Sequence, residues 1–295
     1  MLKFYCILIL EILLSPILYL IEELKKAGYL PVNPGANLRT KRKKANANKL
    51  LVCIHDWAGY NITREKSFKN GKKIKCGLKY QIERFANYKG TKTVDYLLTI
   101  SGIDDTNTKK YQGLKFKSVS NIGLDFSGYS YFAENLPEEN CYVLLMNTSV
   151  ESSQDDFIDD YISFMESNPS IGLLGISYST KMYQTIIKNN FNPHIQSFFL
   201  MTTSDILKQI NKYNNGFPGE KIDYKRLLIR EGEIGISKII ERLGYSLCVI
   251  DEHGKPFILP TSQKKFFNSN KLWPMPYGDY RYAVKTPNKI NKMTC

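Results

Sequence analysis

At 295 residues, with 43% hydrophobic and 23% charged side chains, the chain can bury one sizeable core or two small ones; it is neither disordered nor fibrous. Its net charge of +13 is gathered into two runs, Arg39, Lys41, Arg42, Lys43, Lys44 and then Lys66, Lys69, Lys72, Lys73, Lys75. Such runs suit an anionic partner or form a solvated basic face. Nucleic acid is not the expected partner, because charge alone points to it and no stacking or helix-turn-helix signature accompanies it.

Residues 2–21 are the longest apolar run, about 20 residues and so long enough to span a bilayer. Glu11 opposes insertion and Pro16 kinks the helix. Glu11, Ser15, Tyr19 and Glu22 share one helical face. That stripe equally fits a helix lying in the membrane interface or packed against protein. We therefore expect an N-terminal membrane-associated helix over residues 1–30 and a basic linker over 31–49. By the positive-inside rule the main domain is expected on the cytoplasmic side.

Leu50–Trp57 reads as a buried first strand closing on His55 and Asp56, and Ala58–Gly77 as a polar loop. Leu78–Tyr88 carries apolar residues at helical spacing, and Val94–Ser101 is a second strand ending near Asp104 and Asp105. Leu114–Ser120 is a third strand. It feeds a block, Asn121 to Tyr129, in which Asp125 can cap a helix while Gly123 and Gly128 admit close backbone approach. Cys141–Met146 is a fourth strand that delivers Asn147, Thr148 and Ser149 at its C-terminal edge, where open α/β sheets bind ligands. These three could hold sugar hydroxyls, phosphate or a metal shell, or simply turn the chain.

Phe157–Met165 follows as a helix, Ile171–Ser177 as a strand and Met182–Asn189 as a short helix. Ile195–Met201 is a strand on which His194 and Gln196 share a face, and Ser204 caps the next helix. Glu231-Gly232-Glu233 precedes the helix Gly232–Leu243, where the dipole would stabilise a carboxylate that serves as a cap or a general base. Tyr245–Ile250 is a last strand, and residues 261–295 form an irregular tail. Strand–helix alternation implies one α/β domain over 50–260 with a mostly parallel sheet flanked by helices. Of six cysteines, Cys53, Cys141 and Cys248 fall in apolar runs as buried thiols, and no metal-ligand spacing recurs. Common nucleotide-binding and hydrolase motifs are absent from the sequence.

Five blocks taken in order carry a resemblance: N-x-G-x-D-F-x-G-Y (121–129), LLMN-x-S-V (144–150), IGLLG (171–175), HIQSFFL (194–200) and EIGIS…GY (233–245). Over roughly residues 50–252 the chain resembles the rhamnan-synthesis-F-type glycosyltransferases, bacterial polysaccharide-building enzymes of the GT-A type. The resemblance implies a Rossmann-type fold and transfer of a sugar, often rhamnose, from a nucleotide-sugar to a growing or lipid-linked glycan, with inversion. It implies that Glu233 is the catalytic base. The donor would be bound by Asn121, Gly123, Asp125, Gly128, Tyr129, Asn147, Thr148, Ser149, His55 and Asp56, and His194 or Gln196 would contact donor or acceptor. GT-A enzymes usually carry Asp-x-Asp where this chain has Asn147-Thr148-Ser149, so a Mn or Mg ion would rest on Asn147 as a weaker ligand, or be unnecessary. The alternative is a membrane-tethered binding protein on a degenerate transferase fold.

Overall fold

The computed structural model describes residues 1–26, 29, 40–67, 73–153, 156–181, 191–259 and 288–294. The elements in order are α1 (Leu2–Lys26), β1 (Asn46–Trp57), β2 (Arg64–Ser67), β3 (Lys73–Cys76), α2 (Leu78–Ala86), β4 (Thr93–Ser101), β5 (Lys117–Val119), α3 (Asp125–Glu134) and β6 (Cys141–Asn147). There follow α4 (Ile158–Ser167), β7 (Ile171–Gly175), β8 (Tyr178–Lys181), β9 (Phe191–Ile195), β10 (Phe199–Thr203), α5 (Ser204–Asn214), α6 (Lys225–Leu228), α7 (Ile234–Arg242), β11 (Ser246–Ile250) and β12 (Pro256–Ile258).

Eight strands form one sheet in the order β12-β11-β7-β10-β6-β1-β4-β5. Parallel pairing joins β5, β4, β1 and β6 on one side and β7 with β11 on the other. Between these halves β10 runs antiparallel to both β6 and β7, and β12 closes the edge antiparallel to β11. The expected α/β class therefore holds, with a mostly parallel sheet carrying two reversed strands.

The alternation of the central strands explains the layering. Leu50, Val52 and Ile54 of β1 with Leu144 and Met146 of β6 point to one side, against Leu78 and Phe85 of α2 and Tyr161, Ile162 and Met165 of α4. Cys53 with Val143 and Leu145 points to the other, against Phe126 and Tyr129 of α3, Ile206 and Ile210 of α5 and Ile236 and Ile240 of α7. Strands buried on both faces must be apolar throughout, which is why these runs are continuous. Cys53, Cys141 and Cys248 are buried free thiols in those strands, and burial pushes Cys53 and Cys248 up to about 12.

Several expectations change. The stretch read as a loop contains the hairpin β2–β3, whose register pairs Arg64 with Cys76. Its alternating Lys and Ile lack the apolar content of a core strand. Ile195–Met201 is not one strand: β9 pairs with β8 in a separate ribbon, and a turn at 196–198 leads into β10. The cap of α5 is Thr203, which accepts from the Ile206 N–H, while Ser204 Oγ accepts from the Cys141 N–H at 3.1 Å. The basic segment enters the fold earlier than expected: Arg42 is buried, donating to Tyr142 Oη at 3.1 Å and to the Met165 carbonyl. At the other end residues 288–294 pack on the domain, with Ile290 in the core and Asn291 Nδ2 donating to the Asp251 carbonyl at 3.0 Å. The expected helix Met182–Asn189, and most of the linker 31–39 and tail 261–287, lie outside the described residues.

Among the described residues no helix is long and apolar enough to cross a membrane, so of the alternatives left open for residues 2–21 the span is not supported. Helix α1 instead docks on the domain through Lys3, Phe4 and Glu11. Glu11 pairs with Arg230, Lys3 lies 2.7 Å from Glu231, and buried Phe4 meets Tyr224 edge-on at 5.4 Å between ring centroids.

Gly128 is a close-packing position. A Cβ there would lie 2.3 Å from His55 Nδ1 and 2.4 Å from Thr99 Oγ1. Gly128→Ala is therefore expected to cost about 1–3 kcal/mol, read as a lower urea midpoint; an unchanged midpoint would mean that His55 swings aside freely.

Candidate functional site

The C-terminal edge of the sheet is assembled around the junction of β6 and α3. Asn147 Nδ2 donates to Asp125 Oδ2 at 2.5 Å, and Asn147 Oδ1 accepts the Ser149 N–H at 2.9 Å. The Asn147 N–H is bonded to the Phe198 carbonyl and the Thr148 N–H to that of His55, both at 3.2 Å. Asp125 is thus not a helix cap as expected. The cap position is Leu124, whose φ of 49° is left-handed and which has no side-chain cap bond. A branched residue there stores strain of about 1–3 kcal/mol, a feature that clusters at functional sites.

Asp125, Leu124, His194, Gln196, Ser197, Lys225 and Glu233 line one cleft of 240 Å³. Four residues singled out in the sequence thus meet in one cavity from three separated stretches of chain. Glu233 does not stand at a helix start. It ends a π-helical turn, Ile229–Glu233, inserted between α6 and α7, and its own backbone is helical. Such turns re-aim side chains and recur at functional sites. Glu233 Oε2 accepts from the Ser197 N–H at 3.2 Å and hydroxyl at 3.0 Å, while Oε1 lies 3.5 Å from His194 Nε2. Gln196 Oε1 accepts from the Ser177 hydroxyl at 2.5 Å.

Burial raises Asp125 to about 6; the Asn147 bond opposes the shift, and the charges of Glu233 and Asp56 add to it. A carboxyl poised near neutrality beside a second, well-oriented carboxylate is an arrangement suited to proton transfer.

A second cluster adjoins the first. Asp56 is buried and accepts from Thr148 Oγ1 and, at 3.1 Å, from Tyr111 Oη. Arg64 donates to Thr148 Oγ1 at 3.2 Å and Ser149 Oγ at 3.4 Å, lies 3.8 Å from Asp56, and stacks on Tyr60 at 3.9 Å. Burial pushes Asp56 above the usual carboxylate range, against the Thr148 bond and the Arg64 charge. Sequence reading missed Arg64. Its only signal was an arginine in a segment taken for a loop, since the contact that matters lies 84 residues away.

The remaining predicted donor residues sit behind this edge. His55 is buried with both ring nitrogens bonded, Nδ1 to Thr99 Oγ1 at 3.0 Å and Nε2 to Ser101 Oγ at 3.2 Å. Ser101 gives its proton to Asn121 Oδ1 at 3.0 Å, so Nε2 must carry the ring proton. Burial lowers His55 to about 3, and it is neutral. Tyr129 is fully buried and donates to the Ser197 carbonyl at 2.9 Å. Gly123 approaches the Glu220 carbonyl, where a Cβ would come within 2.7 Å. His55, Gly123, Gly128 and Tyr129 therefore shape the site from beneath instead of lining the cleft. Asp104 organises its own loop, accepting from Thr106 and Asn107.

The donor set does not fit a divalent cation, which needs several free oxygens. The Asn147 oxygen accepts from Ser149, the Thr148 oxygen accepts from the Arg64 cation, and one Asp125 oxygen accepts from Asn147. Among the described residues no group of three or more His, Cys, Asp or Glu side chains could hold a metal ion. Asn147, expected as a weaker metal ligand or as a residue of a site needing no metal, has its oxygen bonded to the Ser149 N–H.

No protein-family model matches the chain, and no curated protein does. Among solved structures it is similar to CMP:2-keto-3-deoxy-manno-octonic acid synthetase complexed with CTP, at 8% identity and a TM-score of 0.39, over 69% of this chain and 89% of that one. It is also similar to a mannosyltransferase from Pyrobaculum calidifontis in complex with GDP-Man and Mn2+, at 10% identity and a TM-score of 0.39, over 82% of this chain and 65% of that one. Likeness this slight assigns no activity.

Because the folded state holds the Asp125 proton more tightly than the unfolded chain, it binds more protons between about pH 4 and 6. Stability from this group is present below about pH 4 and lost as pH rises through about 6. Melting curves across that window should show the loss in the wild type and a flatter profile in Asp125→Asn, which keeps an acceptor for Asn147. Identical pH profiles would exclude Asp125 as the titrating group.

Proposed function

We propose that this chain is a glycosyltransferase of the rhamnan-synthesis-F type, taking a nucleotide-sugar donor across the C-terminal edge of its sheet. The observation that carries the reading is the convergence of Asp125, His194, Gln196 and Glu233 on one cleft beside the end of β6. The five-block sequence resemblance supports it, because the same blocks supply those residues.

In this mechanism Glu233, oriented by Ser197 and His194, removes the proton of an acceptor hydroxyl. The acceptor oxygen attacks the anomeric carbon from the face opposite the nucleotide. A carbon–oxygen bond forms as the bond to the diphosphate breaks, the diphosphate leaves with the electron pair, and configuration inverts. Asp125, fixed by Asn147, accepts hydrogen bonds from the sugar. Rhamnose is the sugar suggested by the resemblance, and a growing or lipid-linked glycan is the acceptor.

Glu233→Gln should keep nucleotide-sugar binding, followed by thermal shift across a donor panel, while transfer falls by about 10²–10⁴-fold. Donor retention with unchanged transfer would remove Glu233 from the chemistry. Retention with no transfer to any glycan by the wild type would favour a binding protein on this fold.

We also propose that α1 lies in the surface of a membrane with the domain on its cytoplasmic side. With Phe4 and Glu11 turned to the protein, α1 exposes Leu2, Tyr5, Ile9, Leu10, Leu13 and Ile17, of which Leu2 is 80% and Leu13 68% exposed. An apolar arc facing outward on a chain of net charge +13 is suited to an anionic lipid surface. The chain should float with phosphatidylglycerol vesicles, and Ile9→Glu with Leu13→Glu should abolish flotation. Flotation unchanged in that variant would rule out the helix as the contact.

A further inference from the structure

Asp125 and Glu233 both line the cleft, and helix α3 reaches each of them. Asp125 opens α3 and is held directly by Asn147. Tyr129 stands one turn further along α3, on the same helical face. Its hydroxyl donates to the Ser197 carbonyl at 2.9 Å. Ser197 in turn gives its N–H and its hydroxyl to Glu233 Oε2, at 3.2 and 3.0 Å. One path of hydrogen bonds therefore runs from the helix beneath the sheet to the carboxylate across the cleft.

Glu233 depends on that path. The π-helical turn fixes its backbone, but several rotatable bonds separate the backbone from the carboxylate. Ser197 can hold the carboxylate only as firmly as its own backbone is held. That backbone lies in neither neighbouring strand, since β9 ends at Ile195 and β10 begins at Phe199. Hydrogen bonds pin the turn instead. The Gln196 N–H donates to the Ser177 carbonyl at 3.0 Å, the Phe198 carbonyl accepts the Asn147 N–H at 3.2 Å, and the Tyr129 hydroxyl holds the Ser197 carbonyl between them. Tyr129 is itself locked in place. It is fully buried, and its ring meets Phe126, Phe217 and His55 edge-on at 6.0 to 6.4 Å between centroids. A buried carbonyl needs a donor wherever it lies. This one belongs to the residue whose N–H and hydroxyl hold Glu233, so a rotation of the Ser197 backbone would carry those donors away from the carboxylate.

We propose that Tyr129 is a positioning residue that sets the carboxylate of Glu233 through Ser197 without touching substrate. This deepens the transferase reading and rests on it. A base displaced by a fraction of an ångström loses its line to the acceptor hydroxyl, so the Tyr129 hydroxyl acts on turnover and not on donor binding.

Two measurements on the full chain test it. The first is urea unfolding of Tyr129→Phe, which keeps the ring and removes only the hydroxyl, alone and with Glu233→Gln. The two changes should be coupled, the double variant losing less than the sum of the two midpoint shifts. Tyr161→Phe is the control, because Tyr161 is equally buried and donates to the Asn291 carbonyl at 2.8 Å on the opposite face of the sheet. Its shift should add to that of Glu233→Gln. The second is transfer from UDP-, GDP-, dTDP- and CMP-sugars to oligosaccharide acceptors, in which Tyr129→Phe should lower kcat about tenfold with the donor KM unchanged. Tyr161→Phe should transfer as the wild type does, and Tyr129→Phe added to Glu233→Gln should lower the residual rate no further. Additive midpoint shifts, an unchanged kcat, or an equal further loss in the Glu233→Gln background would overturn the positioning role and leave the transferase standing. Coupled midpoints with no transfer by the wild type from any of these donors would sink the transferase reading and the role that rests on it.

Discussion

The contact between Asn147 and Asp125 holds the C-terminal edge together. It joins the last residue of a central strand to the first residue of the helix packed beneath the sheet. An amide suits this place because it donates to a carboxylate with one end and accepts a backbone N–H with the other. An aspartate there would set two carboxylates 2.5 Å apart, a like-charge contact that the buried edge could not screen. The strained Leu124 backbone persists because its neighbour is fixed in this way. Asparagine at position 147 is thus part of how this edge is built.

Across the cleft the π-helical turn plays the matching part. One extra residue in the helical path turns Glu233 inward to Ser197 and His194, while Arg230 and Glu231 on the same turn reach outward to Glu11 and Lys3 of α1. The N-terminal helix and the carboxylate in the cleft therefore brace the same five residues, Ile229–Glu233, from opposite sides. Polar groups of α1 are spent on that brace, which is why its apolar residues are left outward.

Behind both runs a chain of hydrogen-bonded polar side chains. Thr99, His55, Ser101 and Asn121 pass hydrogen bonds from one to the next beneath Gly128. A neutral imidazole suits this position, since a charged one would be buried without a counter-ion. The residues expected at the site divide accordingly. Asp125, His194, Gln196 and Glu233 line the cleft, while His55, Gly123, Gly128 and Tyr129 hold it in shape.

Composition and apolar spacing alone determined the sheet's central strands, the helices α2 to α4 and the edge at which polar residues gather, because strands buried on both faces must be continuously apolar. They marked Asp125 as a helix cap, while Glu233 was set apart as a base only by the family resemblance. They could not reveal that Asp125 meets Asn147, that Glu233 sits within a continuous helical path, or that Arg64 is drawn to the end of β6. The β2–β3 hairpin is too polar to read as a strand, and its partners are distant in sequence. Whether the apolar N-terminal helix spans a bilayer or rests on the domain was equally undecided by hydropathy, since Glu11 weighs against insertion only until it finds Arg230. These outcomes depend on which side chains tertiary packing brings within a few ångströms, and local pattern carries no record of that distance.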